Sequence, residues 1–264
     1  MSLILRRETP ADIRAVDELT REAFWGGFFA TCDEHYLAHR LRGIPAFVPE
    51  LCFVAEREGQ LVGNIMYSRA VVTEPDGTEH PVLTFGPLSV LPAFQRTGVG
   101  GALVRHTSEL ARDMGFRAVI IYGHPDYYPR LGFCPASIYG ITAPEGKSFD
   151  ALMALPLYEG AMEGLCGVFH EDGVFYDLPP EAVAAYDVTF PPKEPADMPP
   201  IGVLLERLAP DAQAAFRERE IKLLATLGQY SGREVMAWEG MDGAAMESVN
   251  CVLREYGLAE KTLP

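Results

Sequence analysis

The segment between residues 82 and 123 constrains the fold of this chain more than any other. VLTFGPLSVLP has the pattern of a strand, and it continues through QRTGVGG into a helix that Gly115 ends. RAVIIYG follows as an almost continuous apolar run, which is typical of a strand buried on both faces. A strand, a helix and a second strand in this order form a right-handed crossover. The segment therefore predicts two parallel strands, bridged by a helix that begins at a glycine-rich turn.

Hydrophobic periodicity predicts the elements around this unit. Thr9 is a suitable N-cap with Pro10 in the first helical position, and EGQ and EPDGTEH are suited to hairpins. The predicted elements are helices over 11–24 and 33–41, three strands between 51 and 92, and strands that begin near Phe133 and in DALMALPLY. Antiparallel hairpins joined to one parallel crossover indicate a mixed sheet of the α+β class.

The amino-acid composition of the chain changes near residue 190. FPPKEPADMPP is rich in proline, as in an extended linker. Amphipathic helices are expected at 211–227 and 241–256, and Gly257 is a suitable C-cap for the second. The predicted units are a domain over 1–190, a linker over 191–200 and a helical extension over 201–264. We expect the helices of the extension to pack on the core of the domain over 1–190 rather than to form a lid or a subunit interface, although a homodimer remains open.

Composition excludes several classes of protein. The 264 residues are 48% hydrophobic, enough for one sizeable core, and no apolar run is long enough to span a membrane. The net charge of −15 disfavours binding to nucleic acids and suits cationic small molecules. The five cysteines are scattered, without a Cys/His cluster that suggests a metal. With no signal peptide, the expected location is the cytoplasm.

The glycine-rich turn suggests a place for an anion. A helix N-terminus has unpaired N–H groups and a partial positive charge, and glycine allows the backbone to approach a phosphate closely. The turn lacks the Gly-Lys-Ser/Thr ending of a Walker loop. It also lacks the third glycine of the dinucleotide fingerprint, because Leu103 stands there. Glycine spacing alone leaves both a phosphate site and a purely structural turn open.

Two motifs together resemble one family. Residues 95–100, QRTGVG, match the Q/R-x-x-G-x-G/A pyrophosphate loop of the GNAT acetyltransferases, and YYPRLGF resembles their Y-x-x-x-G-F segment. The likeness covers about residues 3–157. GHPDYYPRLGF, LMALPLYEGAMEGLCG and VTFPPKE are similar to YhbS-type N-acetyltransferases and extend it to about Lys193. It implies the GNAT fold, a mostly antiparallel sheet with helices on both faces that splays between two central parallel strands.

The resemblance also implies where acetyl-CoA, the cosubstrate, would bind. In the family the coenzyme lies between the two diverging parallel strands, with its phosphates on the loop. The implied main-chain contacts to its pantetheine arm are Leu88, Ser89 and Val90, and the implied pyrophosphate loop is Gln95, Arg96, Thr97, Gly98, Val99 and Gly100, with Gly101 beside it. By the same analogy, Val90 N–H is the candidate to stabilise the developing oxyanion.

Tyr128 corresponds to the family tyrosine that protonates the departing thiolate, and the adjacent Tyr127 is its competitor. A base for the amine is less clear from sequence. His124, His80, Glu22 and Glu50 are candidates, and we assign the role to none of them. The expected function is metal-free transfer of an acetyl group to an amine of unknown identity. The alternatives are an acyltransferase that uses a longer acyl group and a non-catalytic sensor of acyl-CoA.

Overall fold

The computed structural model describes residues 2–27, 31–258 and 260–261. Within these residues nine strands form one sheet. The strands are β1 Ile4–Arg7, β2 Phe53–Arg57, β3 Gln60–Thr73, β4 Glu79–Val90, β5 Ala118–Tyr122, β6 Cys134–Pro135, β7 Ile141–Thr142, β8 Leu152–Pro156 and β9 Gly167–His170. Their order is β1-β2-β3-β4-β5-β8-β6, with β9 paired to both β3 and β7. In the described chain β4–β5 and β7–β9 pair in parallel and the other neighbours are antiparallel.

Helices cover both faces of the sheet. The helices are α1 Ile13–Phe24, α2 Glu34–Leu41, α3 Val99–Asp113, α4 Pro180–Asp187, α5 Gly202–Leu205, α6 Pro210–Glu218, α7 Gly232–Met236 and α8 Gly243–Glu255. Ile65 of β3 packs in one cluster with Leu103 of α3, whereas the next residue, Met66, packs in another with Leu41 of α2. Successive side chains of a strand point to opposite faces, so α2 and α3 lie on opposite sides of β3. The predicted mixed sheet with helices on both faces is confirmed.

The sheet opens between β4 and β5. These parallel strands share a single pair, Leu83 with Val119, whereas β4 is paired with β3 along its length. The register of β3 and β4 shifts opposite Gly86 and Pro87. Proline has no N–H to donate to a ladder, so β4 cannot continue a regular ladder at this point. The predicted splay between two central parallel strands is therefore present, and it begins just after Leu83.

The C-terminal extension differs from its prediction in two ways. The helix predicted over 211–227 ends at Glu218, because Glu220 adopts a φ of 52° and Ile221 N–H closes back onto Phe216 O. The helix predicted over 241–256 is confirmed as α8, which Gly257 ends with a φ of 70°.

The extension also has an apolar core of its own, which corrects the expectation that its helices bury their apolar faces on the sheet. The buried side chains of this core include Phe216, Leu224, Val235, Trp238, Val249 and Leu253. Residues 191–199, which precede it, contain no helix or strand. We propose on this basis the division into a domain over 1–190, a linker over 191–200 and an extension over 201–264.

Candidate active site

The glycine-rich turn forms the N-terminus of α3. Residues 95–98 are exposed, and Gly98 is the N-cap of the helix with a φ of 90°. Arg96 also adopts a left-handed backbone, with a φ of 61°. Left-handed residues next to right-handed ones direct successive N–H groups to one side and form a concave anion-binding surface. The local backbone is thus shaped as the phosphate-loop interpretation requires.

The N–H groups of this turn are available to a ligand. In the described part of the chain, the six consecutive N–H groups of residues 96–101 have no hydrogen-bond acceptor. Two side chains fix the turn to the end of β4: Thr97 Oγ1 donates to Phe94 O at 2.6 Å, and Gln95 Nε2 donates to Val90 O at 3.2 Å. The turn therefore holds a fixed row of unpaired donors, in exposed residues at 96–98 and in buried residues at 99–101, and such donors are the chemistry that a pyrophosphate needs.

Two further arginines, which sequence analysis missed, surround the turn. A Cβ at Gly101 would lie 3.1 Å from Nη1 of Arg105, so this guanidinium folds over the first turn of α3. Arg130 lies 4.1 Å from the ring centroid of Tyr127 and donates from Nε to Tyr127 O. With Arg96 they make a cationic region on a chain of net charge −15. Arg105 follows Gly101 by four residues on one helical face, a spacing that could have revealed it.

The main chain of β4 faces the gap at two of the expected positions. Leu91 N–H bonds to Val62 O at 3.0 Å, which makes these two residues a hydrogen-bonded pair of the β3–β4 ladder. Hydrogen-bonded and non-hydrogen-bonded pairs alternate along an antiparallel ladder. Leu88 and Val90 are therefore in non-hydrogen-bonded pairs, and their N–H and C=O groups point away from β3, towards the gap beside β5.

Ser89 is placed differently from its neighbours. The same alternation makes Ser89 and Asn64 a hydrogen-bonded pair, so the main-chain groups of Ser89 face β3 rather than the gap. Its buried hydroxyl donates to Thr20 Oγ1 of α1 at 3.1 Å. Ser89 therefore joins β4 to α1, and its role as a main-chain contact is the least supported of the three.

Tyr128 fills the gap between β4 and β5. Its ring centroid is 5.9 Å from that of Phe85 on β4 and 5.3 Å from that of Phe133. A Cβ at Gly123, just after β5, would lie 2.5 Å from the Tyr128 ring, so glycine is required for this approach. Burial and the neighbouring Tyr127 raise the pKa of Tyr128. Its hydroxyl has no hydrogen-bond partner among the described residues and can donate to a ligand.

Tyr127 occupies another part of the site. A Cβ at Gly100 would lie 2.9 Å from the Tyr127 hydroxyl, so this hydroxyl rests on the first turn of α3. Burial raises the pKa of Tyr127, whereas Arg130 and Arg105 lower it. The two adjacent tyrosines thus point to the two ends of the site, Tyr127 to the phosphate loop and Tyr128 into the gap.

The four candidate bases are not gathered at the gap. His80 pairs with Glu74 at the hairpin end of β4, on the far side of Leu83. Glu22 pairs with Lys193. Glu50 lies in the exposed segment before β2, beyond β3.

His124 is nearer, at the end of β5. Its Nδ1 accepts the Asp126 N–H at 3.2 Å. Burial, with the charge of Lys261, lowers its pKa to about 4. His124 is consequently neutral at pH 7, and the nitrogen that could accept a proton is already occupied.

A carboxylate that sequence analysis missed lies on the other face of β4. Glu171 directly follows β9 and lies in a segment that crosses β4. Its Oε1 accepts the Tyr176 hydroxyl at 2.7 Å, and its Oε2 accepts the Thr84 hydroxyl at 3.4 Å. Burial raises the pKa of Glu171 to about 7. Nothing in the local sequence VFHEDG marks this residue, because its environment depends on the position of β9.

The elevated pKa of Glu171 predicts a stability effect. Because the folded protein holds this proton up to about pH 7 and the unfolded chain releases it near pH 4.5, the free energy of unfolding should fall between these values and stay level above them. We expect a loss of about 2 kcal/mol, less than the full shift because the side chain is partly exposed. Urea denaturation of the wild-type protein and Glu171→Gln from pH 4 to 8 tests this. A stability difference that does not change with pH would contradict it.

The C-terminal extension contacts the loop that contains Tyr127 and Tyr128. Lys261, whose side chain is wholly buried, binds Asp126 Oδ2 at 3.1 Å and Tyr230 O at 2.5 Å. Gly232 N–H donates to Asp126 Oδ1 at 3.3 Å. Asp126 lies between His124 and Tyr127 in the chain, so this buried ion pair joins the extension to the loop that contains the tyrosines.

The described residues lack two other kinds of feature. No three His, Cys, Asp or Glu residues of residues 2–27, 31–258 and 260–261 come together as a metal ion would need. No helix formed by these residues is long and apolar enough to cross a membrane.

Comparison with known sequences agrees with this geometry. The model of the acetyltransferase (GNAT) family matches residues 17–133, which include β4, the glycine-rich turn, α3, β5 and the tyrosines. The uncharacterized N-acetyltransferase YjhQ of Escherichia coli K12 is 42% identical over 98 residues, or 36% of this chain and 53% of YjhQ. The chain thus spans about half the length of that relative. The uncharacterized N-acetyltransferase YhbS of Escherichia coli K12 is 26% identical over 171 residues, or 64% of this chain and 97% of YhbS.

Solved structures agree with the fold. YhbS from Escherichia coli in complex with CoA superposes with a TM-score of 0.57 at 24% identity, over 66% of this chain and 92% of that one. A GNAT family acetyltransferase from Brucella melitensis in complex with acetyl-CoA gives a TM-score of 0.52 at 27% identity, over 66% and 98%. With the open sheet, the phosphate-loop geometry and the two tyrosines, these matches show that the chain has the GNAT fold and that its residues 17–133 are similar to the acetyltransferases of this family.

Proposed function

We propose that this protein transfers an acetyl group from acetyl-CoA to a primary amine by direct attack on the thioester. The observation that carries the proposal is the row of unpaired N–H groups over residues 96–101, with the guanidinium of Arg105 folded over it. These groups fit a pyrophosphate. The relative from Brucella melitensis, which was solved with acetyl-CoA, supports acetyl-CoA as the donor.

The residues divide into two roles. Residues 95–101 bind the phosphates, and the gap-facing main-chain groups of Leu88 and Val90 bind the amide-rich pantetheine arm. Val90 N–H, the donor to the developing oxyanion by analogy with the family, lies about 17 Å along β4 from Phe85, where Tyr128 packs, so we assign it to the pantetheine arm rather than to the oxyanion. The distortion of β4 lies at Gly86 and Pro87, earlier than the analogy with the family placed it, so Val90 acts from a regular stretch of strand.

Tyr128 is the proposed catalytic acid. When the amine nitrogen bonds to the carbonyl carbon and the C–S bond breaks, the sulfur leaves as a thiolate that needs a proton. The raised pKa of Tyr128 keeps its hydroxyl protonated at neutral pH, and no described residue competes for that proton. The hydroxyl therefore serves as the donor to sulfur through its position rather than through acidity.

The phosphate assignment predicts a thermal shift that depends on Gly98. A ligand at 100 times its Kd adds about 2.7 kcal/mol, which raises the Tm of a protein of this size by about 5–10 °C. We expect acetyl-CoA to give such a shift in the wild-type protein but not in Gly98→Glu, whose carboxylate would occupy the phosphate site. The measurement is differential scanning fluorimetry of both proteins with and without acetyl-CoA.

Gly115 offers a matched control at the other end of α3. Its φ of 88° is close to that of Gly98, and a Cβ meets no atom within 4 Å at either glycine. Gly115→Glu should therefore show the same backbone strain and charge change but keep the acetyl-CoA shift. If the wild-type protein, purified free of CoA, shows no shift, the proposed function is wrong.

A further inference from the structure

We infer that Glu171 binds the ammonium group of the acceptor and removes its proton, on an aromatic surface that suits a primary amine on an aryl-alkyl body. The inference rests on the proposed function and identifies the acceptor subsite of the same centre. Its basis is the position of Glu171 relative to Tyr128, the lack of a cation beside its carboxylate, and the exposed aromatic side chains around it.

Glu171 and Tyr128 lie on opposite faces of one point of the sheet. Thr84 and Phe85 are consecutive on β4, so their side chains point to opposite faces. Phe85 contacts the Tyr128 ring, and Thr84 contacts the Glu171 carboxylate. A proton donor and a proton acceptor thus flank β4 where it separates from β5. An amine that enters from the side of Glu171 meets a thioester held in the gap.

The carboxylate of Glu171 has no cationic partner. In the described part of the chain, no lysine, arginine or histidine forms an ion pair with it. Its two hydrogen bonds come from neutral hydroxyl groups, those of Thr84 and Tyr176. A partly buried carboxylate without a counter-charge favours a cation as a ligand, and an ammonium group supplies it.

Three exposed aromatic side chains surround this carboxylate. Tyr122 at the end of β5 is 37% exposed, Phe149 is 38% exposed and Tyr176 is 67% exposed. The rings of Tyr122 and Phe149 stack at 5.9 Å between centroids. Aromatic faces attract cations and pack against apolar bodies. This surface thus combines a carboxylate for the amine with aromatic side chains for the rest of the acceptor.

The electrostatic surroundings suit a base that acts near neutral pH. The titratable groups that face Glu171 are Tyr122 from β5 and Tyr176 from its own segment. Both are neutral at pH 7, because a phenol has a pKa of about 10 and burial raises the pKa of each further. Asp172, the next residue, is turned away and accepts the Val174 N–H. The pKa of about 7 that burial gives Glu171 is matched to proton transfer at that pH.

The protons balance across the two faces. The ammonium group gives one proton to Glu171, and the free amine attacks the carbonyl carbon. The C–N bond forms and the C–S bond breaks, while Tyr128 protonates the sulfur. The second proton of the amine passes to solvent, Tyr128 regains a proton from solvent, and Glu171 releases its own. The products are the amide, CoA as the thiol and one proton.

Two isosteric nucleophiles test this role. Benzylamine is protonated at pH 7 and requires a base, whereas phenylhydrazine is neutral and does not. With acetyl-CoA at pH 7, Glu171→Gln should lower kcat/KM for benzylamine about 100-fold and for phenylhydrazine less than about 3-fold. Glu159→Gln, which changes an exposed glutamate outside this aromatic surface, should change neither. The Tm shift with acetyl-CoA should be the same in all three proteins.

A second variant tests the pH dependence of the reaction, which would not change if Glu171 had only a structural role. The Tyr176 hydrogen bond lowers the pKa of Glu171, so Tyr176→Phe should shift the acidic limb of the benzylamine pH profile to higher pH. Equal losses for both nucleophiles in Glu171→Gln, or no loss, would overturn the role as a base. A wild-type protein that binds acetyl-CoA but acetylates neither compound would overturn the acceptor class. Absence of a Tm shift with acetyl-CoA would instead contradict the proposed function itself.

Discussion

Replacement of Tyr128 by phenylalanine is expected to lower kcat about 100-fold at pH 7 and to leave the acetyl-CoA thermal shift unchanged. The change removes one hydroxyl and keeps the ring that packs against Phe85 and Phe133, so the gap keeps its shape. The hydroxyl has no partner among the described residues, and its loss leaves no orphaned polar group in the protein. The deficit should therefore appear in the chemical step, measured as thiol released per second at saturating phenylhydrazine.

Tyr127→Phe is the matched control for this prediction. The Tyr127 hydroxyl lies on the first turn of α3 at Gly100, at the phosphate end of the site. Its removal should change kcat by less than about 3-fold. If Tyr127→Phe shows the large loss of kcat and Tyr128→Phe the small one, the acid is Tyr127. The alignment of Tyr128 with the family motif would then be misleading. If both variants keep full activity, the thiolate leaves without help from either tyrosine.

Much of the core could be predicted from sequence because its signals are local. The turn at residues 95–101 combines glycines with an apolar helix pattern, and the structure has the expected helix start at Gly98. The strands on either side are long apolar runs with a clear period. Tyr128 was selected by its distance from a Gly-Phe pair, and its position in the gap also depends on Gly123, which admits the ring.

What sequence did not reveal depends on contacts between distant segments. Glu171 reaches Thr84 across 87 positions of the chain, and Lys261 reaches Asp126 across 135. No local pattern encodes either pairing. The predicted end of α6 was wrong for a different reason. Glu220 adopts a left-handed backbone that only glycine and a few polar residues commonly take. A glycine such as Gly257 indicates in the sequence where a helix can end in a left-handed conformation, whereas a glutamate gives no such indication.

The buried pair of Lys261 and Asp126 carries the second large prediction. Lys261→Met should lower the free energy of unfolding by about 3–5 kcal/mol, because it removes a wholly buried ammonium group that pairs with a carboxylate only 8% exposed. This corresponds to a Tm lower by about 10 °C. The Asp126→Asn change should cost a similar amount, and the double variant should cost less than the sum. Chemical denaturation of the four proteins gives this cycle.

Arg254→Gln is the control for charge on the extension. Arg254 pairs with Glu260 on the surface, where the two side chains are 67% and 44% exposed, so its loss should be within the error of the measurement. Additive losses in the cycle, or a Lys261→Met protein as stable as Arg254→Gln, would mean that the buried pair does not join the extension to the core.

The same variant should change the site at a distance from its own position. Lys261 is the charged group that lowers the pKa of His124 most after burial, so Lys261→Met should raise that pKa from about 4. A titration of the imidazole by NMR measures it directly. The change in the pKa of His124 distinguishes two roles for the extension. A unit that only stabilises the fold would leave this pKa unchanged. A raised pKa would show that the last residues of the chain set the charge state beside the tyrosines.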